Sequence, residues 1–310
     1  MAVSDDEHLR TLQERAENPP SIDAALVASK ELVEALGPLA AEAPARYQAQ
    51  LAIAWKLRGT HLGLTADQAE AEEAFATAVR LLRELSTETN PESLYTLATS
   101  LIDLAEHRLK RDGAQEALGP IEEVRDLGRR LAREGTDAAQ DLAAHASRLH
   151  ALALQKLGDH QAAVEQAEQA QPGLERLERR DPDGRVLLAE NHRTLGLSLL
   201  ELNRLKEARN RFELASWLFR RLSKREPEIF TGEQADVTLM IATIWLREGK
   251  QTRAVGNFEA AIQLYRDAAR YNPTYEEDYR NAVTTLLDVC QNLGRSRDYN
   301  RILRKYPIRG

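Results

Sequence analysis

Small residues recur along this chain at Ala25, Ala71, Ala117, Ala163, Ala208 and Ala254, at spacings of 46, 46, 46, 45 and 46 residues, and Tyr299 closes the series 45 residues later. Four residues after each comes Ser29, Phe75, Ile121, Ala167, Phe212, Phe258 or Leu303, and seven after each comes Leu32, Ala78, Val124, Ala170, Ala215, Ala261 or Tyr306. Offsets of four and seven lie on one face of an α-helix. A face that alternates small and large side chains lets a second helix approach closely and interlock. A single compact core does not produce such a rhythm over 310 residues. A linear array of stacked units does.

The rest of the pattern fills in the unit. Twelve residues upstream stand Gly59, Ala105, Ala151, Gly196, Ala242 and Leu287, mostly small again. They are expected to face the small residues of the second helix across a tight pair. Between the two series lie Gly158, Asn203, Gly249 and Gly294, residue types that take the left-handed conformation and close a helix. Prolines at Pro44, Pro91, Pro182, Pro227 and Pro273 keep the same rhythm, and a helix should stop before each. The turn sequence Gly135-Thr136-Asp137 stands where one proline is missing. Start signals of the capping-box kind are read at Ser4–Glu7, Thr65–Gln68, Thr231–Gln234 and Thr274–Glu277. Gly119-Pro120 and Pro172-Gly173 fall inside second helices and should kink or restart them. Ala, Leu, Glu, Arg and Gln dominate, aromatics are 5%, and period-two strand patterns are hard to find. The fold class is therefore all-α.

Leu195-Gly196…Asn203…Ala208…Phe212…Ala215 and Ile241-Ala242…Gly249…Ala254…Phe258…Ala261 resemble the tetratricopeptide repeat. Trp55…Gly59…Ala71…Phe75…Ala78 is a third match, and Gly158…Ala163…Ala167…Ala170 a fourth. The period of about 46 is similar to the long-helix variants found in bacterial signalling proteins and in kinesin light chains, rather than the usual 34. The resemblance implies one domain over 1–310, a right-handed α-solenoid of about seven antiparallel helix pairs, with repeats starting near 6, 52, 98, 144, 189, 235 and 280.

Composition limits what such a scaffold can do. The single Cys290 excludes intrachain disulfides and multi-cysteine metal sites, and its setting among Leu286, Leu287 and Val289 reads as packing. The seven His residues show no metal-ligand spacing; His145 and His150 read as surface or boundary residues. No nucleophile elbow and no phosphate-binding glycine loop occurs, so neither catalysis nor a cofactor is expected. A net charge of −7 argues against nucleic acid. No apolar run reaches bilayer length and the acidic start carries no signal peptide, so a cytoplasmic location without membrane insertion is expected. The Arg-rich basic set points to a bacterial genome.

What remains is surface. In proteins of this family the first helices line a concave groove. The positions that map there form one row of Lys56, Ile102, Arg148, Arg193, Leu239 and Thr284, and a second of Thr60, Glu106, Leu152, Leu197, Thr243 and Asp288. A third row is Gly63, Leu109, Gln155, Leu200, Leu246 and Gln291, flanked by Lys110, Lys156, Glu201 and Arg247. Leu152, Leu197, Leu200 and Leu246 make an apolar strip, with Lys56, Arg148, Lys156, Arg193 and Arg247 around it. That combination suits another protein or peptide, acidic and amphipathic. The resemblance thus implies an interaction scaffold or adaptor, or else a sensor that changes superhelix shape on binding. Leu303, Tyr306 and Ile308 form an apolar edge for end-on docking or simple burial. The residues with which two known subtypes hold a peptide, an Asn–Lys carboxylate clamp and an Asn ladder, are absent: Leu57, Asp103 and Thr194 stand at those positions.

Overall fold

The structure, a computed structural model, describes residues 2–85, 91–133, 137–182 and 184–306. Among them are fourteen α-helices and no strand. The chain divides into two compact units, Met1–Leu157 and Gly158–Gly310. The first holds α1 (Ala2–Glu17), α2 (Ile22–Glu42), α3 (Pro44–Leu62), α4 (Gln68–Leu85), α5 (Pro91–Lys110), α6 (Ala114–Arg133) and α7 (Asp137–Leu157). The second holds α8 (His160–Arg180), α9 (Gly184–Glu201), α10 (Leu205–Leu222), α11 (Pro227–Arg247), α12 (Gln251–Ala268), α13 (Tyr275–Asn292) and α14 (Ser296–Lys305). Within each unit every helix packs on the next in sequence, the contact pattern of a helical-repeat solenoid.

The recurrent alanines are the innermost residues. Ala71, Ala117, Ala163, Ala208 and Ala254 are fully buried, and so are Phe212 and Phe219. The small residues upstream have a different partner from the one their spacing suggests. A Cβ built on Gly59 would lie 2.9 Å from the ring of Phe75, and one on Gly196 would lie 2.8 Å from that of Phe212. Each glycine thus faces the large residue of the second helix, and its missing side chain is the space the ring occupies.

The turns follow the closing signals. Asn203, Gly249 and Gly294 have φ of 56°, 71° and 65°, and Gly158 has φ of 84°. In three of these turns the next amide reaches back five residues: Arg204 to Leu199 O, Lys250 to Trp245 O and Arg295 to Cys290 O, each at 2.8 Å. This closes the helix with its last carbonyls satisfied. Pro44, Pro91 and Pro227 are the first residues of α3, α5 and α11, where a missing N–H costs nothing.

Other signals read differently in three dimensions. α6 and α8 run unbroken through Pro120 and Pro172, and α2 through Pro38. Gly37 and Gly119 precede two of these prolines, and without a Cβ they avoid the clash that disfavours helix before proline. Ser4 and Thr231 lie inside α1 and α11, and Thr274 makes no capping bond. Thr65 does receive a backbone bond from Asp67, 3.1 Å. Gly135 and Thr136 lie outside the described residues.

Gly196→Ala would push a methyl group into the Phe212 ring. It is expected to lower stability by about 1–3 kcal/mol, read as a lower urea midpoint. Phe212→Leu in the same chain should recover part of the loss. An unchanged midpoint in the single variant would contradict the interlock.

Candidate functional site

In the first unit, ion pairs tie the first helices together across the intervening second helix. Lys56 of α3 meets Asp103 of α5 at 3.0 Å. Glu106 of α5 pairs with Arg148 of α7, and Lys156 at the end of α7 donates to Asp112 beyond α5 at 2.7 Å. Burial pushes the Asp103 carboxyl up, against the pull of Lys56. The Lys156 hydrogen bond holds the exposed Asp112 below its ordinary value. In the second unit Arg193 of α9 bridges Glu190 on its own helix, 2.8 Å, and Glu233 on α11. Burial opposes the Arg193 charge, yet the two glutamates outweigh it and its pKa is raised. Burial lifts Glu233 and Asp236 as well. The Tyr265 hydroxyl of α12 donates to Asp236 at 2.6 Å, and Gly232 of α11 leaves the space that the Tyr275 ring of α13 fills.

These pairs define the surroundings of the basic residues singled out from the sequence. Lys56, Lys156 and Arg193 are partnered at the surface, whereas Arg148 is only 5% exposed and belongs to the packing. Leu152, Leu197 and Leu246 are half-buried and Arg247 is exposed. Leu200 is buried, at 6%, and is part of the core rather than of a surface strip. At the end of the second unit Leu303 is exposed, but Tyr306 is buried, at 1%, beneath the Lys305 ammonium 4.9 Å from its ring. Ile308 lies outside the described residues. Arg301 and Lys305 hold α14 to Glu259 of α12, at 2.8 and 3.4 Å.

An open cavity of about 440 Å³ lies where α3 and α4 meet the end of α5. Phe75 and His107 form its apolar part, their ring centroids 5.4 Å apart. Thr60, Gly63 and Glu106, members of the second and third sequence rows, line it with Asp103. Lys110 and Arg111 stand at it too, and neither has an ion-pair partner among the described residues. His107 Nε2 donates to Gln68 O at 3.3 Å, which leaves Nδ1 as an acceptor. Burial lowers the pKa of this histidine, Glu72 works against that, and Arg111 and Lys110 add to it. Neither Phe75 nor His107 belongs to the rows read from the sequence; the 46-residue separation of His61 and His107 was the available signal.

His145 is half-buried, a boundary position, and is drawn down to about 4 by burial, with Arg148 adding to the effect. His192 of α9 is buried and also falls to about 4, chiefly through burial and then through Arg211. His150 accepts from Arg125 at 2.9 Å. Cys290 is fully buried, and burial raises its thiol pKa. Among the described residues no group of His, Cys, Asp and Glu is arranged to hold a metal ion, and no helix is long and apolar enough to cross a membrane.

No family model and no curated protein sequence matches this chain. Solved structures do. A Rap protein complexed with competence and sporulation factor is similar over 96% of this chain and 84% of its own, at 13% identity and a TM-score of 0.57. Aspartyl phosphate phosphatase F from Bacillus subtilis is similar over 88% and 70%, at 12% identity and a TM-score of 0.59. BtubC (BKLC) from P. vanneervenii is similar over 79% and 91%, at 16% identity and a TM-score of 0.56. At such identities the likeness shows a shared helical-repeat fold.

The buried imidazoles make stability depend on pH. His145 and His192 have pKa values of about 4 in the folded chain, against 6.5 for an ordinary imidazole. The unfolded chain therefore takes up their protons first. Their contribution is whole above about pH 6.5 and is lost as pH falls toward about 4. The raised carboxyls of Asp103, Glu233 and Asp236 work in the opposite sense at the acid end. Thermal melts should show Tm falling between about pH 6.5 and 4, with a shallower fall in His192→Leu. A variant profile as steep as that of the parent would contradict this assignment.

Proposed function

We propose that this protein is a non-enzymatic interaction scaffold that binds a segment of a partner protein on the faces made by its first helices. The observation that carries the reading is the arrangement of those faces. α3, α5 and α7 in one unit, and α9 and α11 in the other, are tied by ion pairs through their own side chains. Half-buried leucines, Leu152 in the first unit and Leu197 and Leu246 in the second, lie on the same helices. A partner segment with apolar and acidic side chains suits both features: apolar groups cover the leucines, and carboxylates share donors with Lys56, Lys156, Arg193 and Arg247. Arg148 and Leu200 act from behind, as packing that fixes the face. Leu303 remains a candidate for end-on docking. A soluble, cytoplasmic setting and a single array with repeats from near 6, 52, 98, 144, 189, 235 and 280 accompany this reading.

One comparison favours a second reading. A neighbour of the same fold is a Rap protein complexed with competence and sporulation factor. On that likeness the chain is a regulatory sensor, in which a bound peptide alters the array and controls a partner enzyme. Small-angle scattering on adding a candidate peptide separates the two, since a scaffold keeps its dimensions and a sensor changes them.

Crosslinking of the full chain in its native cell tests the scaffold. Crosslinks to a partner should cluster on α3, α5 and α7 or on α9 and α11. Lys156→Glu together with Arg247→Glu should reduce them about tenfold, with only a small fall in melting temperature from loss of the exposed Lys156–Asp112 pair. Crosslinks confined to the second helices, or unaffected by the charge reversal, would contradict it.

A further inference from the structure

We propose that the cavity between α3, α4 and the end of α5 is an anchor subsite: it takes an apolar side chain of the bound segment over Phe75 and His107, while an acidic side chain of the same segment meets Lys110 and Arg111. This inference rests on the scaffold reading and names the chemistry of one part of its face.

The first argument is charge. Asp103 and Glu106 are each already matched, by Lys56 and by Arg148. Lys110 and Arg111 form no ion pair among the described residues: Lys110 acts on Asp103 only from a distance, behind Lys56, and Arg111 makes a long bond to Gln68 O, 3.5 Å. The lining carries Asp103 and Glu106 against Lys110 and Arg111; Lys56 and Arg148 pair with the two carboxylates from beside it, and the neighbouring Glu72 is paired with Arg108, which leaves a balance of two positive charges in a chain whose net charge is −7. An incoming carboxylate is attracted there, and an incoming ammonium is repelled.

The second argument is shape. The volume of about 440 Å³ lies within the range of small-ligand pockets, ample for one large side chain and its flanking backbone. Gly63 keeps it open. A Cβ at Gly63 would lie 3.7 Å from His107 Nδ1, so a larger side chain there would cover that atom. With Nε2 donating to Gln68 O, Nδ1 offers a lone pair to a backbone N–H of the segment. Leu64 extends the apolar part outward, 65% exposed at the lip. The lining thus combines an acceptor, an apolar surface and two cations, which suits an apolar residue with an acidic one nearby.

A random peptide library displayed on phage and selected on the full chain supplies the probe. Enriched peptides should pair a large apolar residue with a nearby Asp or Glu. Their affinity should fall about tenfold or more in the double variant Lys110→Glu, Arg111→Glu, the loss of a charge-assisted contact, and also in Gly63→Leu, which fills the cavity. Lys110 and Arg111 are exposed, so their variant keeps the test decisive even where Gly63→Leu folds poorly. Peptides that enrich but bind both variants as well as the parent overturn this subsite and leave the scaffold standing. No enrichment on the parent chain overturns both.

Discussion

The close fit of an aromatic ring into the gap left by a glycine on the neighbouring helix is the contact on which the array depends. Phe75 against Gly59 and Phe212 against Gly196 fix how near the two helices of a pair can come. That separation sets where the next helix can pack, because Ala71 and Ala208, four residues before each ring, are buried completely. A methyl group in the gap would move a whole helix, and with it every side chain that helix presents. Site geometry is thus inherited from packing.

Electrostatics then finishes what packing begins. Several charged side chains on the first helices reach to a neighbouring element and are satisfied there, as Glu106 and Arg148 are, or Arg193 and Glu233. A pair in which one member is almost completely buried is costly to break, because the remaining charge has lost its water. Such pairs set the spacing of the helices and leave little charge for chemistry. Lys110 and Arg111, which form no ion pair among the described residues, stand together at the cavity.

Much of the fold was legible because the repeat constrains the sequence at every period. The alanine series marked the buried seam, and Asn203, Gly249 and Gly294 marked turns whose left-handed residues the structure confirms. The identity of the groups that touch was harder to read. Gly59 and Phe75 are sixteen residues apart, a separation set by the turn and by how two helices cross rather than by either helix alone. Ion pairs were hidden for a related reason. Arg148–Glu106 and Arg301–Glu259 are each 42 residues apart, one period less about a helical turn. Opposite charges at that diagonal offset were the signal that would have paired them. Rows taken straight across the repeats placed Arg148 and Leu200 on an open surface, where the structure buries them. Of the two outcomes expected at Pro120, a kink or a restart, the restart does not occur, and Gly119 removes the clash that would have forced it.

Amide hydrogen exchange on Phe212→Ala tests the central claim most directly. Removing the ring should empty the contact with Gly196 and loosen only the elements that lean on it. Faster exchange confined to α9, α10 and α11, with α13 and α14 as protected as in the parent chain, is the expected result. Loss of protection spread evenly over the whole unit, or none at all, would show that its stability does not rest on contacts between neighbouring helices.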